Sequence, residues 1–144
     1  QYRLKVISGD VASVKLSRGY LTVTVSGVPD RERVRTMLHR WNLERAKDVF
    51  EEVLIKSLTR SNIAQHPRII VRAMQSRWGS LSRAGTMTLN SQLIRAPRAC
   101  IEYVITHELC HLTHRDHDAS FYRMLGQLMP DWEKRKQPLE AALL

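Results

Sequence analysis

The residues of this chain best suited to chemistry lie in one string, Thr106-His107-Glu108-Leu109-Cys110-His111-Leu112-Thr113-His114-Arg115-Asp116-His117-Asp118. On an α-helix, residues four apart project from the same side about one turn apart, so His107 and His111 can direct two imidazoles at one divalent metal ion. Imidazole nitrogens suit zinc, at about 2.0 to 2.1 Å. Glu108 is rotated by about 100° around the same axis. That is too far for an easy ligand but near enough to touch a water held on the metal, which is the place of a general base. Three protein ligands leave a coordination position open for that water, whereas a fourth would mark a structural site.

Spacing alone leaves the third ligand open. His117 lies just beyond the expected helix end, where the chain can turn back, and is the preferred candidate. His114 shares the helical face, but its α-carbon would lie about 10 Å along the axis from that of His107 if the helix continued. Asp116 and Asp118 are further alternatives, and each could instead cap the next helix or orient a ligand imidazole. Cys110 points about 100° away from His111 and reads as a small buried thiol. A lone histidine would be taken as a packed or solvated residue. His-Glu-x-x-His on an apolar helix, with another histidine close downstream, reads as a metal centre.

That helix is expected from about Arg98 to His114, starting past Pro97 and burying Ile101, Val104, Ile105, Leu109 and Leu112. Before it, Ile69–Met74 and Thr86–Asn90 read as strands that could pair as a hairpin, with a glycine- and serine-rich loop from Gln75 to Gly85 between them. At the start of the chain, Tyr2–Val6, Val14–Leu16 and Leu21–Val25 predict two or three antiparallel strands, turning around Ser17-Arg18-Gly19. Pro29 suits a helix start, and Val34, Leu38, Trp41, Phe50, Val53, Leu54 and Leu58 recur at spacings of three and four. One long helix, or two broken near Asn42, should therefore run to about Arg60, with Trp41 in the core. A last helix is expected from about Ala119 to Met129, ended by Pro130, with Trp132 anchoring a basic tail. The fold class is thus α+β: a small, mostly antiparallel sheet packed with helices, in a single domain over residues 1–144.

Size and composition agree. A chain of 144 residues that is 43% hydrophobic can build one core. The net charge of +9 is concentrated in residues 1–72, with 14 Lys and Arg against 7 Asp and Glu, compared with 9 against 7 in residues 73–144. This balance permits attraction to nucleic acid or nucleotides, but no zinc-finger spacing or RNA-binding aromatic motif accompanies it. No apolar run is long enough to span a bilayer and no secretory pattern opens the chain. Two cysteines are too few for a disulfide framework, so the expected setting is the reducing cytoplasm.

Several separated motifs resemble the YgjP-like metallopeptidase domain family, itself related to SprT-like and minimal gluzincin-type zinc peptidases. They are Ser76-Arg77-Trp78-Gly79-Ser80, Leu89-Asn90 with Leu93 and Pro97, Ile101-Glu102-Tyr103-Val104 through His111, Asp116-His117 with Phe121, Pro130-Asp131-Trp132 and Lys136. The resemblance implies zinc bound by His107, His111 and His117, with Glu108 as base. It also sets the Arg77-Trp78-Gly79 loop and its adjoining strands beside the active-site helix, making Arg77, Trp78 and Asn90 candidate substrate contacts. Leu81 stands where the family commonly has cysteine, and Asp116 where asparagine often precedes the last histidine.

The expected activity is zinc-dependent peptide-bond hydrolysis. Tyr103, one turn before His107, and Tyr122, on the following helix, are candidate donors to the developing oxyanion. The Thr86–Asn90 strand could align an extended peptide. Two alternatives are a metal-dependent nucleotide or phosphate-ester hydrolase, using Arg77 and Arg83, and a zinc-stabilised module that binds nucleic acid or protein.

Overall fold

The computed structural model describes residues 2–28 and 30–142. Pro29, expected at a helix start, lies outside the described residues. The chain forms two compact units, residues 1–44 and 45–144.

The first unit holds β1 (Arg3–Ser8), β2 (Ser13–Ser17) and β3 (Tyr20–Val25). Strand β3 is central and buries Leu21, Val23 and Val25 while Thr22 and Thr24 remain partly exposed, which is the period-two pattern of its sequence. Arg18 and Gly19 both have positive φ, as a two-residue hairpin turn requires, and they join β2 to β3 antiparallel. Strand β1 pairs with the other side of β3 in parallel, from Arg3 opposite Tyr20 to Ser8 opposite Val25. The antiparallel expectation fails there because alternation determines which face is buried and not which neighbour is hydrogen-bonded. Helix α1 (Arg31–Ser61) is a single helix through Asn42, and its residues from 45 onward belong to the second unit.

The second unit adds β4 (Arg68–Arg72), β5 (Gly79–Leu81) and β6 (Thr86–Asn90) in the order β4-β6-β5. Strand β4 pairs with β6 in parallel, and the hairpin partner of β6 is β5, within the segment expected to be loop. Gly85, at φ +87°, closes that hairpin by donating its N–H to the Ser82 carbonyl at 3.0 Å. The α+β class holds, but with two three-stranded mixed sheets in place of one mostly antiparallel sheet.

Helices α2 (Arg98–Cys110), α3 (Ala119–Leu128) and α4 (Trp132–Ala142) complete the unit. Phe50, Val53 and Leu54 of α1, Met87 and Leu89 of β6, Ile105 and Leu109 of α2, and Phe121 and Leu125 of α3 share one core. Full burial of each such side chain contributes about 1.5 to 3 kcal/mol. Helix α2 therefore lies in the core and its end is held firmly. It stops at Cys110, short of the expected His114, and Thr113 and His114 both turn back to donate to the Cys110 carbonyl. Asp118 caps α3 by accepting from the Phe121 N–H at 3.0 Å.

Helix α4 replaces the expected basic tail. Its charges and the internal Pro138 argue against a helix, since proline removes one backbone donor. Tertiary contacts offset this: Leu139 is buried, the Trp132 ring stacks on Tyr103, and Arg135 reaches Glu102 on α2 while also pairing with Asp131 one turn before it. No helix among the described residues is long and apolar enough to cross a membrane.

Candidate metal centre

His107 projects from α2, His111 caps that helix, and His117 lies in the turn that leads into α3. Their Nε2 atoms converge: His111 to His117 is 3.0 Å, and His117 to His107 is 3.2 Å. Ligand atoms around a tetrahedral zinc ion are about 3.3 Å apart at normal bond lengths, so the trio fits a metal. Phe121 packs its ring against all three imidazoles at centroid distances of 4.6 to 4.9 Å and forms their apolar floor.

The Nδ1 atoms have partners of their own, while the Nε2 atoms face one another. His111 Nδ1 donates to the His114 carbonyl at 2.9 Å, and His107 Nδ1 lies 3.3 Å from the Tyr103 hydroxyl. A proton on each Nδ1 leaves the Nε2 lone pair free, the arrangement common to metal-ligating histidines. Burial, followed by the neighbouring His111, His117 and Lys136, pushes the His107 pKa down to about 3, so its imidazole is neutral over the ordinary pH range. Burial also lowers that of His111. Among the described residues, this trio is the one group of three or more His, Cys, Asp or Glu that can share an ion.

Glu108 is buried, with Oε2 4.0 Å from His107 Nε2. Burial holds its carboxyl up at about 7, partly offset by the charge of Arg77. Glu108 and the three histidines line a cavity of about 610 Å³ together with β5 and the loop before it. Gly79 makes that closeness feasible. A Cβ there would lie 3.1 Å from Leu89 and Val104 and 3.3 Å from Glu108 Cγ. Gly79→Ala is expected to cost about 1 to 3 kcal/mol as β5 and α2 move apart, measurable by urea denaturation.

The other expected site residues divide. Arg77 and Trp78 line the cavity, and Trp78 Nε1 donates to the Leu139 carbonyl at 3.2 Å. Tyr103 also lines it, but the hydroxyl expected to face an oxyanion lies 3.3 Å from His107 Nδ1, where it can orient that ring. Tyr103→Phe removes this partner, and metal affinity should fall about 10- to 100-fold, as read by competition with a chromophoric chelator. Tyr122 stacks on Trp132 at 5.5 Å, with its ring 6.3 Å from that of His117, and is not among the residues that line the cavity. Asn90 is no substrate contact: it is fully buried, its Nδ2 donates to the Met74 and Arg77 carbonyls at 2.9 Å each, and its Oδ1 accepts from the Gln92 N–H. It clamps the loop that carries Arg77. Asp118 is engaged as a helix cap, and Cys110 is a buried free thiol raised to about 11, first by burial. Sequence reasoning missed Arg115, Leu139 and Glu140 as lining residues; the last two lie on α4, which was read as a basic tail, and the opposite charges four apart at Asp131–Arg135 and Lys136–Glu140 are the signal that could have found it.

A family profile described as YgjP-like, metallopeptidase domain, matches residues 1–142. The chain belongs to this YgjP-like metallopeptidase family. Solved structures that share the fold include two described as metallopeptidase zymogens. Abylysin of Pyrococcus abyssi is 20% identical with a TM-score of 0.60, and the match covers 65% of this chain and 94% of that one. Jannalysin of Methanocaldococcus jannaschii is also 20% identical, with a TM-score of 0.58 and coverage of 66% and 90%. No curated protein matches the sequence at a significant level. A YgjP-like member would be expected to hold a metal ion, and the histidine trio offers it a fitting donor set.

Proposed function

We propose that this YgjP-like protein is a zinc-dependent peptidase in which His107, His111 and His117 hold the ion and Glu108 is the general base. The observation that carries the reading is the meeting of three imidazole nitrogens beside a buried carboxyl in an accessible cavity. Zinc, when bound, would supply Lewis acidity to the scissile carbonyl and acidity to a water. Glu108 would accept the proton of the attacking water at its carboxylate and pass it to the leaving amide nitrogen. Burial, which strengthens the carboxyl's hold on a proton, suits it to both transfers. An extended peptide would be aligned along β5 and not along β6 as the sequence suggested, because β6 is the central strand with both sides already paired. Strand β5 has β6 on one side only, and Gly79, Ser80 and Leu81 all line the cavity.

The open set of three ligands favours hydrolysis over a zinc-stabilised binding module, which would call for a fourth. A cytoplasmic setting is part of the proposal, and two buried, unbridged cysteines are compatible with it. The test is to incubate zinc-loaded protein with a diverse peptide mixture and read the products by mass spectrometry. Cleavage should appear, stop on chelation and return with zinc; a mixture left intact by protein of verified zinc content would overturn the reading.

A further inference from the structure

The cavity carries more cationic side chains than the chemistry above uses. Arg77, Arg115 and Lys136 line it, and the acidic lining residues are Glu108 and Glu140. Lys136 and Glu140 neutralise one another at 3.2 Å, one turn apart on α4. Arg77 and Arg115 remain. Both are exposed, and neither joins an ion pair among the described residues.

The two arginines come from different elements that bound the cavity: Arg77 from the loop entering β5, and Arg115 from the turn between α2 and α3. Both share the cavity lining with Glu108 and the three histidines. The Arg77 backbone is held by the buried Asn90 amide, which gives that guanidinium a fixed base. A guanidinium presents a planar fork of donors that matches a carboxylate with two parallel hydrogen bonds. A peptide stretched along β5 and over the histidines would pass both.

Resting on the peptidase reading, we infer that Arg77 and Arg115 are specificity residues that select peptides with acidic side chains at two separate positions flanking the scissile bond. Each arginine reads its own position, so substitutions act independently. An acidic peptide also fits the sign of the cavity better than a basic one, which would bring like charge against both guanidiniums.

The test separates this inference from the peptidase reading by measuring binding without turnover. Zinc-loaded Glu108→Gln protein is titrated with two fluorescent peptides of equal length, one with Glu and one with Gln at positions flanking the centre. The Glu peptide should bind about tenfold more tightly at low salt. Arg77→Gln should remove the advantage of one Glu, Arg115→Gln that of the other, and the double variant both. Equal binding of the two peptides, or an advantage that survives the double variant, overturns the inference. So does a nucleoside triphosphate that binds more tightly than the Glu peptide with the same arginine dependence, because the arginines then serve phosphate. In parallel, cleavage sites of the unsubstituted protein in a peptide mixture should be enriched in Asp and Glu on both sides of the cut. An absence of all cleavage would sink the peptidase reading, while the binding measurements still decide the role of the arginines.

Discussion

Glu108→Gln is expected to lower zinc-dependent hydrolysis by about 10²- to 10⁴-fold, the usual contribution of a positioned general base, and to leave metal content at that of the parent. Glutamine keeps the volume and an acceptor oxygen but cannot take up a proton. The three imidazoles that would bind the ion are held by other groups: His111 by the His114 carbonyl, His107 by Tyr103, and all three by the ring of Phe121. None of these contacts involves Glu108. The fold should also persist, since the neutral amide carries no charge to desolvate at a position whose burial already disfavours ionisation. Turnover and zinc stoichiometry measured on one preparation check the prediction. Retained turnover would remove Glu108 from the chemistry, and lost zinc would make it a structural support of the centre.

What could be read in the sequence divides along physical lines. His107, Glu108 and His111 were legible because helical geometry makes their relation local: four residues and one turn suffice to bring two rings together. His117 was legible only as a preference, because its approach depends on where α2 stops. That end is set by backbone turns onto Cys110 and by the Asp118 cap of the next helix, and propensity does not determine it. The parallel pairings of β1 with β3 and of β4 with β6 were hidden for a different reason. Alternation of apolar residues records which face is buried, while strand order is decided by contacts between segments distant in sequence. Helix α4 was the largest omission. Its helical state rests on the burial of Leu139, on Trp132 against Tyr103 and on Arg135 reaching Glu102, none of which a local pattern encodes, with the local Asp131–Arg135 pair one turn apart adding to them. Asn90 was singled out for the right loop and the wrong task, since a buried amide can be spent entirely on backbone groups, here two carbonyls and one N–H.

His117→Ala should weaken zinc binding by well over about 100-fold, beyond the range typical of partners that only orient a ligand, and hydrolysis should fall with it at ordinary zinc concentrations. Each alternative third ligand predicts a different outcome. His114 contributes its backbone carbonyl to His111, and His114→Ala keeps that carbonyl, so metal affinity should change little. Asp118→Ala removes a cap and should cost stability, about 1 kcal/mol, while the three Nε2 donors remain. Asp116 is exposed and outside the converging trio, so Asp116→Ala should retain the ion. Chelator competition on the four variants, with thermal midpoints measured alongside, distinguishes a lost ligand from a loosened fold. Had α2 continued to residue 114, His117 would have been carried along the axis away from His107, and no neighbouring imidazole could have closed the set. The early end of that helix is thus a condition of the proposed metal centre. A His114→Ala variant that loses zinc while His117→Ala keeps it would refute this arrangement.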